Sequence, residues 1–153
     1  MVDSSLILRK FAELEEYLEQ IREYSGITVS AYAGVWKAQR IVERTLQMMI
    51  ETCLDIASHV ISDKKYRIPE NYADTFKVLY ENRILETELF ETMVNMARFR
   101  NIVVHHYDRI DPAIVVTVLN KHLDIFETYQ NAIITVLKNS PDNSKAEEFG
   151  LGS

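Results

Sequence analysis

Apolar residues recur along most of this chain at spacings of three and four, the repeat of a helix that buries one face. Ile7, Phe11, Leu14, Leu18 and Ile21 form the first such stripe. With Asp3, Ser4 and Ser5 available as caps, they predict a helix from about Ser5 to Tyr24. Glu13, Glu15, Glu16 and Glu19 fall mostly off the stripe, on a solvated face. Gly26 breaks this helix, Thr28 or Ser30 can cap the next, and the pattern then continues to about Ser62 with a bend near Gly34. That second helix carries two apolar seams, Val42-Leu46-Met49-Cys53-Ile56-Val60 and Ile50-Leu54-Ala57-Ile61. Two seams exceed what one neighbour covers, so this helix is either central or part of a subunit interface.

A polar connection ending at Pro69 leads to a short helix, about Glu70 to Tyr80, with Tyr72, Phe76 and Leu79 inward. A longer helix follows from about Glu86 to His105 or beyond. Asp111-Pro112 starts the last one, an Asp cap with Pro in the first turn. Its seam reads Val115, Leu119, His122, Phe126, Tyr129, Ile133 and Val136, and it stops at Asn139-Ser140-Pro141. The expected fold is all-α, an up-and-down bundle of four main helices plus one short helix. Residues 1–140 form a single domain and residues 141–153 a loose polar tail.

The fourth of these helices breaks its own pattern. One seam runs Leu89, Met93, Met96, Arg100, Val103, Tyr107 and the other Phe90, Val94, Ala97, Asn101, Val104. Arg100 and Asn101 thus take the next core position on each seam. A desolvated Arg costs several kcal/mol unless it is paired or wet, so two consecutive violations mark a polar pocket. His105 follows Asn101 by four residues and Tyr107 follows Arg100 by seven, each nearly aligned on a continuous helix. Arg100 and His105 are five apart, about 140° around the helix. Either the helix loosens near His105 or the site combines helices of two chains. The plain structural alternative is an Arg and a His buried against Asp55 or Glu51 of the second helix. The chemistry on offer is proton transfer by His and bidentate phosphate binding by Arg, which suits cleavage of RNA through its own 2′-hydroxyl and requires no metal or cofactor.

Composition and charge bound the alternatives. With 153 residues, four glycines, three prolines and 47% hydrophobic residues, the chain is neither disordered nor an all-β sandwich. Seventeen Lys and Arg against 23 Asp and Glu give a net charge of −6, which disfavours general nucleic-acid coating. Around the polar pocket the balance reverses: residues 98–111 hold Arg98, Arg100 and Arg109 against Asp108 and Asp111. Cys53 is the only cysteine, which excludes an intrachain disulfide. No signal-peptide pattern and no apolar run of about 18 residues is present, so a cytoplasmic protein without a membrane partner is expected. Glu51, Asp55 and His59 repeat at four-residue spacing, but their drift around the helix favours a polar strip over a metal site. His122 is expected as a core histidine, Trp36 and Tyr32 as core or interface residues, and the methionines as packing. P-loop, dinucleotide-binding and nucleophile-elbow sequences are absent.

The octet Arg100-Asn101-Ile102-Val103-Val104-His105-His106-Tyr107, followed by Ile110-Asp111-Pro112, resembles the R-x-x-x-x-H-x-Y motif of the HepT family within the HEPN superfamily. The likeness extends to Glu70-Asn71-Tyr72 and to Leu54–His59, and spans roughly residues 35–137. The resemblance implies a homodimeric toxin of a type VII toxin–antitoxin pair. It implies a metal-independent ribonuclease, acting in some members on tRNA, that a nucleotidyltransferase antitoxin of the MntA type silences by AMPylation. Carried across by position, Arg100 and His105 are the catalytic pair, Asn101 a positioning residue and Tyr107 the AMP acceptor. Asp55 is expected to orient Arg100 or His105 if the second and fourth helices pack together. A competing reading is a non-catalytic helical dimer that binds the nucleotidyltransferase and serves as its substrate. The intact Arg–His pair favours the enzyme; the net charge favours the module.

Overall fold

The computed structural model describes residues 4–139, and every regular element in it is helical. The elements are α1 (Ser4–Ile21), a short α2 (Val29–Ala33), the long α3 (Trp36–Lys64), α4 (Tyr72–Glu81), α5 (Thr87–His105), a short α6 (Pro112–Thr117) and α7 (Ile125–Lys138). The sequence-expected tail, residues 141–153, lies outside the described residues. No helix among the described residues is long and apolar enough to cross a membrane.

The stripe Ile7, Phe11, Leu14, Leu18 and Ile21 is buried as its spacing predicts. Both seams of α3 are buried too, and α3 touches α1, α2, α4 and α5. It is therefore the central helix, and its second seam is consumed within one chain rather than left for a partner. Tyr129 of α7 seals the interior: its hydroxyl donates to the Cys53 carbonyl at 2.7 Å and its ring meets Phe76 edge-on at 5.8 Å. A buried phenol that finds an acceptor avoids the cost of an orphaned polar group.

Two predicted helices are interrupted. The bend expected near Gly34 is a full break, with Val35 extended between α2 and α3. The last predicted helix is divided by a π turn at Val118–His122. Asn120 of this turn accepts from the Gly26 amide at 2.6 Å and donates to the Ile27 carbonyl, while Ser25 donates to the Leu119 carbonyl. The wider π turn displaces the side chains within it and just after it, and the predicted seam resumes at Phe126. As a result Leu123 takes the buried position and His122, expected in the core, is exposed.

The segment before α4 is fixed by charge. Asn71 caps the helix by accepting from the Asp74 amide. The Arg67 guanidinium grips both Asp74 oxygens at 2.7 Å and also donates to Glu81, and the Glu70 amide donates to Asp74. Arg67 first, then that amide, holds the Asp74 carboxyl well below the usual carboxylate range. A depressed carboxylate stabilises the fold above its unfolded-state pKa of about 4, and the contribution drains away as pH falls below that value. Asp74→Asn should therefore lower the melting temperature at pH 7, and the deficit should shrink steadily between about pH 4 and 2. A deficit equal at both ends of that range would contradict this account.

Candidate functional site

Arg100, the side chain that breaks the apolar pattern of α5, is held on three sides. Its Nε donates to Glu51 Oε2 at 3.1 Å, and Gln47 Nε2 donates to the same oxygen at 3.0 Å. Its guanidinium lies 4.8 Å from the centroid of the Tyr72 ring, and Nη1 donates to Asn101 Oδ1 at 3.3 Å. Only 14% of the side chain is exposed. A carboxylate and an aromatic face together offset the desolvation that would otherwise exclude an Arg there. Nη2 has no hydrogen-bond partner among the described residues, so the outer edge of the fork is available to an anion.

His105 is the last residue of α5, exposed, and without a hydrogen bond or ion pair among the described residues. The helix does not loosen before it: the His106 amide still donates to the Ile102 carbonyl at 2.8 Å. Five residues of regular helix separate Arg100 from His105 by about 7.5 Å of rise and 140° of rotation. Tyr107 lies beyond the helix end, in a 3-10 turn over Tyr107–Arg109, and is 62% exposed. Its expected alignment with Arg100 required a continuous helix and is lost with it. The cation that faces Tyr107 is Arg40, whose guanidinium is 5.6 Å from the ring centroid. Arg40 donates in turn to Glu43 at 2.9 Å. Burial raises the carboxyl of Glu43, and Arg40 opposes that rise.

Arg40, Glu43, Gln47 and Glu51 therefore form one polar stripe along α3, with Glu51 meeting Arg100 and Arg40 meeting Tyr107. Sequence reasoning missed Arg40, Glu43, Gln47 and the stacking role of Tyr72. The signal was present as a spacing of three, four and four that ends on Glu51. Asp55 does not join this site. A four-residue step turns about 40° around the helix, and Asp55 receives Lys10 Nζ of α1 at 3.2 Å. With Glu51 on Arg100 and Asp55 on Lys10, the strip with His59 is pulled apart, and among the described residues no group of three His, Cys, Asp or Glu is placed to hold a metal. Tyr32 is buried, its hydroxyl without a partner, whereas Trp36 is 66% exposed.

An all-α bundle that presents an Arg-x-x-x-x-His-x-Tyr octet at the end of a packed helix belongs to the HEPN class. Comparison with known proteins narrows this further. The profile of the HepT-like family, described as Ribonuclease HepT-like, matches residues 14–133, and the chain belongs to that family. It is 30% identical over 130 residues to the mRNA nuclease HepT of Shewanella oneidensis, a match covering 85% of this chain and 97% of that protein. It is 26% identical over 136 residues to the tRNA nuclease HepT of Aphanizomenon flos-aquae, covering 89% and 92%. The solved structure of a tri-AMPylated Shewanella oneidensis HEPN toxin in complex with MNT antitoxin superposes with a TM-score of 0.79 at 30% identity, over 88% of this chain and 99% of that one.

Proposed function

We propose that this protein is the ribonuclease toxin of a toxin–antitoxin pair, cleaving RNA without a metal and silenced by AMPylation of Tyr107. The observation that carries the reading is the held Arg100 with its free outer edge on the same motif as an unpartnered, exposed His105. In the reaction the RNA 2′-oxygen attacks the adjacent phosphorus, the bond to the 5′-oxygen breaks, and a 2′,3′-cyclic phosphate remains. His105 takes the proton from the 2′-hydroxyl or supplies one to the departing 5′-oxygen, and Arg100 stabilises the charge that develops on phosphate.

The reading extends to a symmetric dimer. Regular geometry keeps Arg100 and His105 of one chain apart, and Ile102, Val104 and Ile114 are 39%, 37% and 54% exposed around the motif. Exposed apolar residues there suit a second copy, which would bring its own His105 towards the first Arg100. The Shewanella structure supports a nucleotidyltransferase-type partner and AMP as the modification. The curated relatives divide between mRNA and tRNA, so RNA is the substrate class and tRNA one candidate within it.

The test is cleavage of single-stranded RNA with excess chelator present. Activity should persist, yield cyclic phosphate ends, and vanish when the residue at the cut carries 2′-deoxyribose. Dependence on a divalent ion, or cutting of the deoxy substrate, would overturn the mechanism. Absence of cleavage with adenylylation intact would favour the non-catalytic binding module.

A further inference from the structure

The start of α3 is unlike the rest of this acidic surface. Trp36, Lys37, Arg40 and Arg44 share its first turns and are exposed, Trp36 by 66%. Lys37 Nζ lies 5.8 Å from the Trp36 ring centroid, and Arg44 has no ion pair among the described residues. The carboxylate on this part of α3, Glu43, is buried and pairs with Arg40, and neither Lys37 nor Arg44 has an ion pair among the described residues. The helix terminus adds to this field: Val35 offers no side-chain cap and no acidic residue occupies the first turn of a 29-residue helix. The patch adjoins the motif through the contact of Arg40 with Tyr107, and α3 carries it towards Glu51 and Arg100, about 16 Å further along the axis from Arg40.

We infer that the first turns of α3 are a second binding site, for the single-stranded RNA that flanks the bond being cut. A base stacks on the open Trp36 ring, and Lys37 and Arg44 take backbone phosphates. This rests on the ribonuclease reading and adds to it the path of the strand. Exposed apolar Val29, Val35 and Ile41 in the same region would suit a protein partner. The uncompensated cations decide for a polyanion, because such charges at the core of a protein interface would have to be desolvated. The stacking platform beside a basic track is also the general solution for unpaired nucleic acid.

The experiment uses full-length His105→Ala protein, so that binding is measured without cleavage. Anisotropy of a fluorescein-labelled single-stranded RNA of about a dozen nucleotides is followed across a salt series. Adding Trp36→Ala should weaken binding roughly tenfold, the effect of losing one stacked base. Adding Lys37→Ala with Arg44→Ala should weaken it and lower the log–log salt slope by about 1.4, the loss of two phosphate contacts on a single strand. Unchanged affinity and slope in both variants, with the parent binding RNA and the wild type cutting it, would overturn the site and leave the ribonuclease reading standing. A parent that neither binds nor, as wild type, cuts RNA would overturn that reading as well. Altered self-association or adenylylation with RNA affinity unchanged would instead make this face a protein contact and refute the inference.

Discussion

Arg100→Ala and His105→Ala should each lower RNA cleavage by roughly 10²-fold or more, because the proposed mechanism loses its phosphate clamp in one and its proton carrier in the other. Arg100→Lys should recover little. Lysine keeps the charge but lacks the planar fork that binds Glu51 through Nε, lies over Tyr72, and still presents an outer edge. His105 is exposed and unpartnered, so its removal should leave thermal unfolding unchanged. Arg100→Ala also removes the ion pair of Glu51, leaving it Gln47 alone, and requires a melting curve beside the assay. Mixing the two inactive variants separates the arrangements of the site. If Arg100 and His105 meet across a dimer, a mixed dimer contains one intact pair, and activity returns on co-refolding. If the pair acts within one chain, the mixture stays dead. Single variants that cleave at the wild-type rate would remove both residues from the chemistry.

Tyr107→Phe should abolish silencing by the partner nucleotidyltransferase while leaving RNA cleavage intact. In the proposed modification the tyrosine oxygen would attack the α-phosphorus of ATP, pyrophosphate would leave, and the phenolic proton would pass to a base of the transferase. The acceptor stands on an open turn, 62% exposed, where a second enzyme can reach it. The cation beside the proposed acceptor is Arg40, which faces the ring, and not Arg100 as a continuous helix would have required. On this proposal an adduct there would crowd His105, two residues away in the chain, and the Arg40 end of the proposed RNA track on α3. Intact-mass and peptide analysis after incubation with the transferase and ATP reads the outcome. AMP found on another residue, or on Tyr107 with cleavage unaffected, would refute this mode of control.

The buried stripes were legible because burial imposes a period. Every residue of the Ile7–Ile21 stripe and of both α3 seams lies in the core. The Asp111 cap was equally readable, since a short polar side chain before a helix and its Pro has few other uses, whereas Asn71, expected inside its helix, proves to be the cap. The octet stood out as a local violation of its own pattern. Less legible were features set by contacts between distant segments. Nothing near Val118 announces a π turn, because the bonds that fix Asn120 go to Gly26 and Ile27. His122 was misplaced for that reason. The partner of Arg100 was ambiguous between Glu51 and Asp55 because both lie one step apart on a helix, and only the rotation of α3 against α1 decides between them. Tyr107 was misaligned because the end of α5 was not fixed by a Gly or Pro.

The single rod of α3 ties the two halves of the site to one ruler. Glu51 sets Arg100 and Arg40 faces Tyr107, and both belong to the same uninterrupted helix. One residue inserted between them would turn one end by about 100° against the other and shift it about 1.5 Å, breaking whichever contact lay beyond the insertion. Changes of length are tolerated best at the joints, the Val35 break before α3 and the turn from Lys65 to Asn71 after it. Between Arg40 and Glu51 the chain can exchange residues but cannot gain or lose one without parting the Arg100 contact from the Tyr107 contact.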